Sequence, residues 1–303
     1  MRHAFLLIAH NEFQLLKVLL SMLDDKRNDI FLHIDKKVDI ESLDKDLFIL
    51  KHARFFLLEH RLDVRWGDIS VVKVEMLMFE TARMKGPYDY YHLLSGVDLP
   101  IKSQDYIHDF FEKNKGHEFV AYSQGEANLK DLEWKMSNYH LFTRYYKIPP
   151  RFFCKEIERF RQKFLNLQRK YHYCRPYEIE FKKGSNWVSI SNDLVTILLE
   201  KKKFILKRFK YVCCGDEIFL HSILWNSPLR DKIYRVNRDA GNGIRAIDWN
   251  RGDPYVWRME DLPSLLESED LFARKFSSND MEIVMKIKEP KIRKQSQWQS
   301  QLQ

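Results

Sequence analysis

The first half of the chain alternates short apolar runs with segments in which apolar residues recur at helical spacing. Residues 4–9 form a continuous apolar run, which is typical of a strand buried on both faces of a parallel sheet. The same pattern predicts three more strands and two helices: strands at 30–34, 55–58 and 90–94, and helices at 15–23 and 70–84. This alternation predicts an α/β fold with right-handed crossovers between parallel strands.

The second half of the chain is less regular. Its pattern predicts two strands and two helices: strands at 184–191 and 244–249, a helix at 194–199, and a helix that begins near Asp216. A glycine-rich turn at 241–243 precedes the second of these strands. Residues 286–303 contain five Lys/Arg and five Gln, which indicates a solvated helix or a disordered segment. We therefore expect one folded domain over 1–285 and a basic, Gln-rich tail over 286–303.

Polar clusters directly follow three of the predicted strands, at residues 10–12, 35–37 and 95–100. In open α/β sheets, ligands bind beyond the carboxyl ends of the strands. Ordinary turn chemistry is the alternative interpretation, because Asn, Asp, Gly and Pro favour turns in any protein. Since all three clusters fall at the same topological place, we favour a ligand site at this edge of the sheet.

Composition narrows the class of protein. The chain has 303 residues, of which 45% are hydrophobic, and this excludes wholesale disorder. No run approaches the roughly eighteen apolar residues of a membrane span. The four cysteines include no Cys-x-x-Cys pair, and the adjacent Cys213 and Cys214 are poor candidates for a disulfide or a zinc site. The apolar run near the N-terminus is too short for a signal peptide. We therefore expect a soluble globular protein of a reducing compartment.

The net charge of +8 is concentrated in one segment, residues 144–175, where ten Lys/Arg face only two Glu. Phenylalanines are interleaved with these charges, so the segment is predicted to form a basic helix with an apolar side. One interpretation is a solvated helix that packs its phenylalanines on the core. The other is a surface for anionic lipid or an anionic acceptor. Nucleic acid is disfavoured, because no nucleic-acid-binding signature accompanies the charge.

Two adjacent carboxylates, Asp216 and Glu217, are the most informative charged pair. Acidic residues in the first turn of a helix are stabilised by its dipole, which is a purely structural reason for their presence. The functional alternative is a general base that accepts the proton of a sugar hydroxyl.

Basic residues and the absence of familiar motifs limit the phosphate chemistry. Arg245 and Lys275 are candidates for neutralising a diphosphate, although isolated cations are usually surface charges. Neither GxGxxG nor GxxxxGK[ST] occurs, so classical dinucleotide and NTP sites are disfavoured. The Asp-x-Asp at 44–46 lies in a charged surface stretch, and no HExxH occurs, so a metal site is weakly supported.

Taken in order, these motifs resemble the core-2/I-branching glycosyltransferase family, which includes β-1,6-N-acetylglucosaminyltransferases and xylosyltransferases. The resemblance extends over roughly residues 4–276 and rests on an ordered set of segments: 5–12, 33–37, 64–67, 90–100, 184–187, 216–217 and 272–276. It implies a GT-A-like, Rossmann-type mixed sheet flanked by helices. It also implies inverting, metal-independent transfer from a UDP-sugar to an acceptor hydroxyl, with no cofactor.

By the same resemblance, each candidate residue takes a role. Glu217 matches the catalytic base. The residues that match the donor site are Ala9, Asp35, Trp66, Arg245 and Lys275, the last two being the cations that replace a metal at the diphosphate. Asp98, Trp187 and Asp216 match sugar or acceptor positions. Residues 1–124 would then be the nucleotide-sugar half, and residues 125–285 the acceptor and catalytic half.

The resemblance also suggests a biological setting. The expected donor sugar is GlcNAc, with xylose next, and the expected acceptor is a glycan or lipid-linked glycan of a bacterial surface polysaccharide. The cytoplasm is the expected location, with the basic segment as a peripheral contact to the inner face of the membrane. Two alternatives stay open: a metal-dependent GT-A transferase, and a non-catalytic protein that binds a sugar nucleotide or nucleic acid.

Overall fold

The structure is a computed structural model that describes residues 1–146, 152–235 and 243–289. Its strands are β1 (His3–Ala9), β2 (Asn28–Ile34), β3 (Arg54–Leu57), β4 (Tyr90–Ser95), β5 (Asp98–Pro100), β6 (Ser189–Ser191), β7 (Arg245–Ile247) and β8 (Phe272–Arg274). Its helices are α1 (Phe13–Leu23), α2 (Ile69–Lys85), α3 (Gln104–Lys113), α4 (Glu126–Ser137), α5 (Phe152–Lys170), α6 (Asn192–Glu200), α7 (Lys202–Phe209), α8 (Phe219–Trp225), α9 (Leu262–Glu267) and α10 (Met281–Lys288).

The main sheet has the strand order β3-β2-β1-β4-β6. β1, β2, β3 and β4 run parallel to their neighbours, and β6 pairs antiparallel with β4 at the edge. Every strand predicted in the first half is therefore present, in a mixed sheet flanked by helices, and the predicted α/β class is confirmed. The helices predicted at 15–23, 70–84 and 194–199 correspond to α1, α2 and α6.

Both faces of the sheet are buried, and β1 shows why its sequence is apolar without alternation. Ala4 and Leu6 pack on one face, in a core built with α2, α6, α7 and α8. Phe5 and Leu7 pack on the opposite face, in a core built with α1, α3 and α10. A strand between two apolar layers needs apolar residues at every position.

A second, three-stranded sheet has the order β5-β8-β7. β5 pairs antiparallel with β8, which places Asp98 opposite Arg274, and β7 pairs parallel with β8. This small sheet connects the segment that follows β4 to residues from the C-terminal third of the chain. It brings together polar residues that are far apart in sequence.

Several boundaries differ from the predictions. The strands predicted at 184–191 and 244–249 are reduced to β6 and β7. The helix expected near Asp216 begins at Phe219, and the two acids lie before it in a 3₁₀ turn, Gly215–Glu217. The predicted domain boundary at 285 falls inside α10, where Ile287 is fully buried, so the folded part extends further.

Two predicted features are only partly described. The tail beyond residue 289 and most of the glycine turn at 241–243 lie outside the described residues. Within the described part of the chain, no helix combines the length and apolarity required to span a membrane.

Candidate active site

A cavity of about 820 Å³ opens where α4, the segment before β6, the turn before α8 and β7 come together. Glycines shape part of its wall, because a Cβ on Gly184 would lie 1.8 Å from the carbonyl oxygen of Ala121. Among the residues that line the cavity are Glu217, Trp187, Arg245, Lys183, Asn186 and Trp249. A concave site with aromatic and amide side chains beside a carboxylate suits a sugar ligand.

Glu217 is held at this cavity by main-chain and side-chain contacts. Its carbonyl oxygen accepts a hydrogen bond from Gly184 N at 2.9 Å. Its Oε2 accepts one from Lys135 Nζ at 3.0 Å and lies 3.6 Å from Lys183 Nζ. Asp131 bridges the two lysines, with its carboxylate 2.9 Å from the Lys135 ammonium. One carboxylate oxygen of Glu217 is thus fixed by cations, and Oε1 has no hydrogen-bond partner among the described residues.

Asp216 lies in a very different environment from its neighbour. Its Oδ1 is buried without a hydrogen-bond partner in the described structure. Burial, and then the charge of Glu217, raise the pKa of Asp216 to about 7. Glu75, on α2, is also buried, and burial followed by the charge of Asp216 raises its pKa well above the usual value. Two adjacent acids therefore differ in character, with Asp216 inclined to hold a proton.

Glu75 also contacts the lining of the cavity, since its Oε1 accepts a hydrogen bond from Asn186 Nδ2 at 3.1 Å. The sequence analysis did not identify Glu75 as a site residue. The sequence did contain an indication of its importance, because Glu75 is the one acid in residues 69–79, which are otherwise largely apolar. A buried acid in a core-facing stripe is unusual unless it has a partner.

Arg245 lines the cavity, but protein oxygens engage its guanidinium. Its nitrogens donate to the carbonyl oxygens of Gly243 at 2.6 Å and Val188 at 2.8 Å, and to Ser189 Oγ at 3.0 Å. Burial lowers the pKa of Arg245 to about 10. These contacts tie β7 to β6, whereas the buried Nε of Arg245 has no hydrogen-bond partner in the described structure. That this guanidinium faces a diphosphate stays a prediction.

Asp98 and Trp187 are linked by Arg274, which the sequence analysis did not single out. The Asp98 carboxylate accepts hydrogen bonds from Ser95 N at 2.7 Å and from Arg274 Nη1 at 2.7 Å. The Arg274 guanidinium lies 4.4 Å from the centre of the Trp187 ring. Asp98 is almost fully buried, and its contacts reach the cavity lining through Arg274 and Trp187. The link exists because β5 and β8 pair in a register that places Asp98 opposite Arg274. No local sequence pattern indicates this pairing.

Ala9 and Asp35 lie at the carboxyl ends of adjacent strands, as expected of parallel strands. Asp35 N donates to the Ala9 carbonyl oxygen at 2.9 Å. The Asp35 carboxylate accepts from Lys37 N at 2.8 Å, Lys37 Nζ at 2.6 Å and Val64 N at 3.1 Å. Both residues are buried, and neither lines the cavity.

Trp66 is half exposed, and its ring meets that of Tyr146 edge-on at 6.1 Å. The next residue, Gly67, accepts a hydrogen bond from Cys214 N at 3.1 Å, one residue before the turn that carries Glu217. Trp66 is therefore joined to the Glu217 turn through the main chain. Cys213 and Cys214 are buried free thiols.

Lys275 follows β8 and also lies outside the lining of the cavity. Its main-chain carbonyl accepts from Trp257 N at 3.0 Å, and its ammonium has no partner among the residues described. Of the predicted residues, the structure thus brings Glu217, Trp187 and Arg245 into one cavity. Ala9, Asp35, Trp66 and Lys275 are not among the residues that line it.

The Asp-x-Asp at 44–46 lies on the surface, where Asp44 pairs with Lys17 at 2.7 Å and accepts from Asp46 N. This arrangement caps a short 3₁₀ turn, which accounts for the motif structurally. Over the described ranges, no group of three or more His, Cys, Asp or Glu side chains is arranged to hold a metal ion.

A mixed sheet flanked by helices, with a polar cavity built around a carboxylate and tryptophans, is an architecture expected of sugar-transferring enzymes. A profile of the Core-2/I-branching enzyme family matches residues 3–271. The chain belongs to this family of glycosyltransferases, and the resemblance inferred from its motifs is confirmed.

Individual relatives are distant. Xylosyltransferase oxt of Drosophila pseudoobscura pseudoobscura is 24% identical over 279 residues, covering 81% of this chain and 28% of the fly protein. Xylosyltransferase 2 of Canis lupus familiaris is 21% identical over 316 residues, covering 94% of this chain and 33% of the dog protein. The chain therefore spans about a third or less of the length of these curated relatives.

Among solved structures, mouse xyloside xylosyltransferase 1 in its apo form is similar to this chain, with 11% identity and a TM-score of 0.39. The similarity covers 90% of this chain and 96% of the mouse chain. A structural similarity at this TM-score supports no inference about the residues of the site.

Proposed function

We propose that the protein is an inverting glycosyltransferase that moves a sugar from a UDP-sugar to an acceptor hydroxyl, with Glu217 as the general base. The observation that carries this proposal is the position of Glu217 at the cavity. Lys135 and Lys183 hold one carboxylate oxygen, and no described residue occupies the other. A carboxylate fixed in this way is ready to accept a proton from a hydroxyl that enters the cavity.

The reaction is a single displacement. The acceptor oxygen attacks the anomeric carbon from the face opposite the diphosphate and transfers its proton to Glu217. The bond between the anomeric carbon and the phosphate oxygen breaks, and UDP leaves with the electron pair. Trp187 offers an aromatic surface beside the sugar, and Arg274 fixes the orientation of its indole.

We propose that the departing diphosphate is neutralised by protein cations and that no divalent metal is needed. Lys275 is the candidate, because its ammonium has no partner among the described residues, whereas main-chain oxygens engage the Arg245 guanidinium. Uridine would lie near Ala9, Asp35 and Trp66, at the edge where ligands bind in such sheets. This arrangement supports cationic stabilisation of the leaving group, a task that a metal performs in other transferases.

The donor sugar and the acceptor are proposed from the family alone. GlcNAc and xylose are the first donors to test, the latter because the curated relatives named above are xylosyltransferases. The proposed acceptor is a growing glycan or lipid-linked glycan, such as those of bacterial surface polysaccharides. The proposed location is the cytoplasm.

The test is UDP release from a panel of UDP-sugars, with and without EDTA, in wild type and in Glu217→Gln. We expect one donor to be turned over in EDTA, and Glu217→Gln to lower turnover by about 10²–10⁴ with little change in UDP affinity. Glu80→Gln is the matched control, because the Glu80 carboxylate also pairs with a lysine, Lys202, at 2.7 Å.

The alternatives give different results in the same assay. Loss of turnover in EDTA indicates a metal-dependent transferase. UDP binding without turnover of any donor, with or without candidate acceptors, indicates a non-catalytic sugar-nucleotide-binding protein. Wild-type rates in Glu217→Gln would remove Glu217 from the role of base.

A further inference from the structure

Helix α5 has one face packed on the protein and another that is open to solvent. Arg161, Leu165 and Gln168 are buried on the inner face. The Arg161 guanidinium stacks on the Tyr146 ring at 3.7 Å, and Gln168 Oε1 accepts a hydrogen bond from Tyr139 N at 2.8 Å. The helix is therefore anchored, and its orientation on the protein is fixed.

The exposed side carries large apolar residues that a folded protein normally buries. Phe160 is 53% exposed, Leu167 50% and Tyr171 70%. Phe160 and Leu167 are seven residues apart and so lie along one side of α5. Tyr171 directly follows the helix, and its N donates to the Leu167 carbonyl oxygen at 3.1 Å. Phe142, itself 48% exposed, meets the Phe160 ring at 5.9 Å and widens this apolar surface. We call these four residues the apolar stripe.

Basic residues flank the apolar stripe. Lys163, three residues after Phe160, is exposed and has no ion-pair partner in the part of the chain that the structure describes. Lys170 extends over the Tyr171 ring at 5.7 Å. The two acids of the helix, Glu156 and Glu158, are already paired with Arg159 and Arg161. The surface beside the stripe therefore has an uncompensated positive charge.

We propose that this face of α5 docks on an anionic phospholipid bilayer. Apolar side chains that insert at the headgroup level, beside lysines that reach anionic headgroups, are the two components of interfacial membrane binding. The charge complementarity favours an anionic surface over a neutral one. Lysine stems also lie along apolar surface and keep their ammonium groups in the headgroup layer.

The inner side of the same helix contacts the proposed uridine site. Arg161, on the inner side of α5, stacks on Tyr146, and Tyr146 meets Trp66. A membrane under α5 would thus lie within a few side chains of the proposed uridine site. That placement would suit an acceptor carried by the membrane, and this consequence, unlike the docking itself, rests on the proposed function.

The test is flotation of the full chain with vesicles near physiological ionic strength. One set of vesicles is phosphatidylcholine, and the other is an equimolar mixture with phosphatidylglycerol. We expect binding to the anionic vesicles, and about thirtyfold weaker binding in the double variant Lys163→Gln/Lys170→Gln, given the usual contribution of each lysine at an anionic surface. Phe160→Ser/Leu167→Ser should lose the binding that remains at high salt.

Matched controls are available elsewhere on the surface. Lys201→Gln/Lys203→Gln removes two exposed lysines, and Met84→Ser removes a side chain that is 73% exposed. Both controls should bind vesicles as the wild type does. All variants replace exposed residues, and thermal unfolding checks that they fold.

Three results would overturn the proposal. These are no binding of the wild type to either vesicle, equal binding to both, and unchanged binding in the lysine variant. Lysine-dependent binding of polygalacturonate without vesicle binding would assign the surface to an anionic glycan instead. Flotation needs no nucleotide or turnover, so failure of the docking and failure of the proposed transferase function are measured separately.

Discussion

Asp216 is a partly buried acid, with one fully buried carboxylate oxygen, whose replacement by an amide should stabilise the protein to a degree that depends on pH. Burial and the neighbouring Glu217 carboxylate raise the pKa of Asp216 from 3.8 to about 7. The folded state therefore retains a proton that the unfolded chain releases above about pH 4. The contribution of Asp216 to stability is complete below that pH and is lost as the pH rises towards 7. Asp216→Asn keeps the shape of the protonated side chain and removes this loss.

The magnitude follows from the size of the pKa change. A rise from 3.8 to about 7, at 1.36 kcal/mol for each pH unit, corresponds to about 4 kcal/mol. Asp216 is partly accessible to solvent, which screens its charge. We therefore expect Asp216→Asn to raise the free energy of unfolding by about 2–4 kcal/mol near pH 8 and to leave it nearly unchanged near pH 4.

The assay is urea-induced unfolding of wild type and variant across this pH range. Asp109→Asn is the control, because Asp109 is an exposed carboxylate and should show no pH-dependent gain. A difference between wild type and Asp216→Asn that is constant with pH would refute the reasoning. So would a loss of stability near pH 8, since it would mean that the ionised carboxylate has a partner in the folded protein.

Two further predictions concern the donor site and the histidines. Lys275→Ala should weaken UDP binding by about 1.5–3 kcal/mol in calorimetry, as expected for a lost charged hydrogen bond, whereas Lys201→Ala should not; an unchanged Kd would exclude Lys275 from the diphosphate site. Burial lowers the pKa of His108 to about 4, so its contribution to stability is present above pH 6.5 and is lost in acid. The free energy of unfolding of the wild type should exceed that of His108→Gln by about 2 kcal/mol less at pH 5 than at pH 7. A difference that stays constant with pH in urea titrations would contradict this.

The sequence predicts the N-terminal half well because its signals are local. The continuous apolar run of β1 follows from burial on both faces, and the polar residues after β1, β2 and β4 follow from parallel strands that end at one edge. The position of Asp35 beside Ala9 was therefore predictable. The strands predicted around β6 and β7 were too long: Val188 is fully buried although it precedes β6, and Trp249, which the prediction included in the second strand, is 54% exposed.

The parts of the site that sequence reasoning missed depend on contacts between distant segments. In the sequence, an arginine after a glycine turn gives the same pattern whether its guanidinium binds phosphate or carbonyl oxygens. Only the fold shows that the Arg245 guanidinium donates to the Val188 carbonyl oxygen. Arg274 gains its role from its register with Asp98, and Lys135 from the approach of α4 to Glu217. The sequence singled out Asp216 and Glu217 as a pair, but the choice of Glu217 as the base came from the family resemblance, since an acid near a helix start has a structural explanation as well.

The small sheet has a consequence for how the protein is made. Asp98 and Arg274 are separated by 176 residues along the chain, and their pairing orients Trp187 at the cavity. During synthesis, β1 to β4 emerge first and can assemble a parallel core while the rest of the chain is still being translated. The cavity is completed only when β8 has been translated and has docked between β5 and β7. A nascent chain therefore has a folded sheet well before it has a finished cavity.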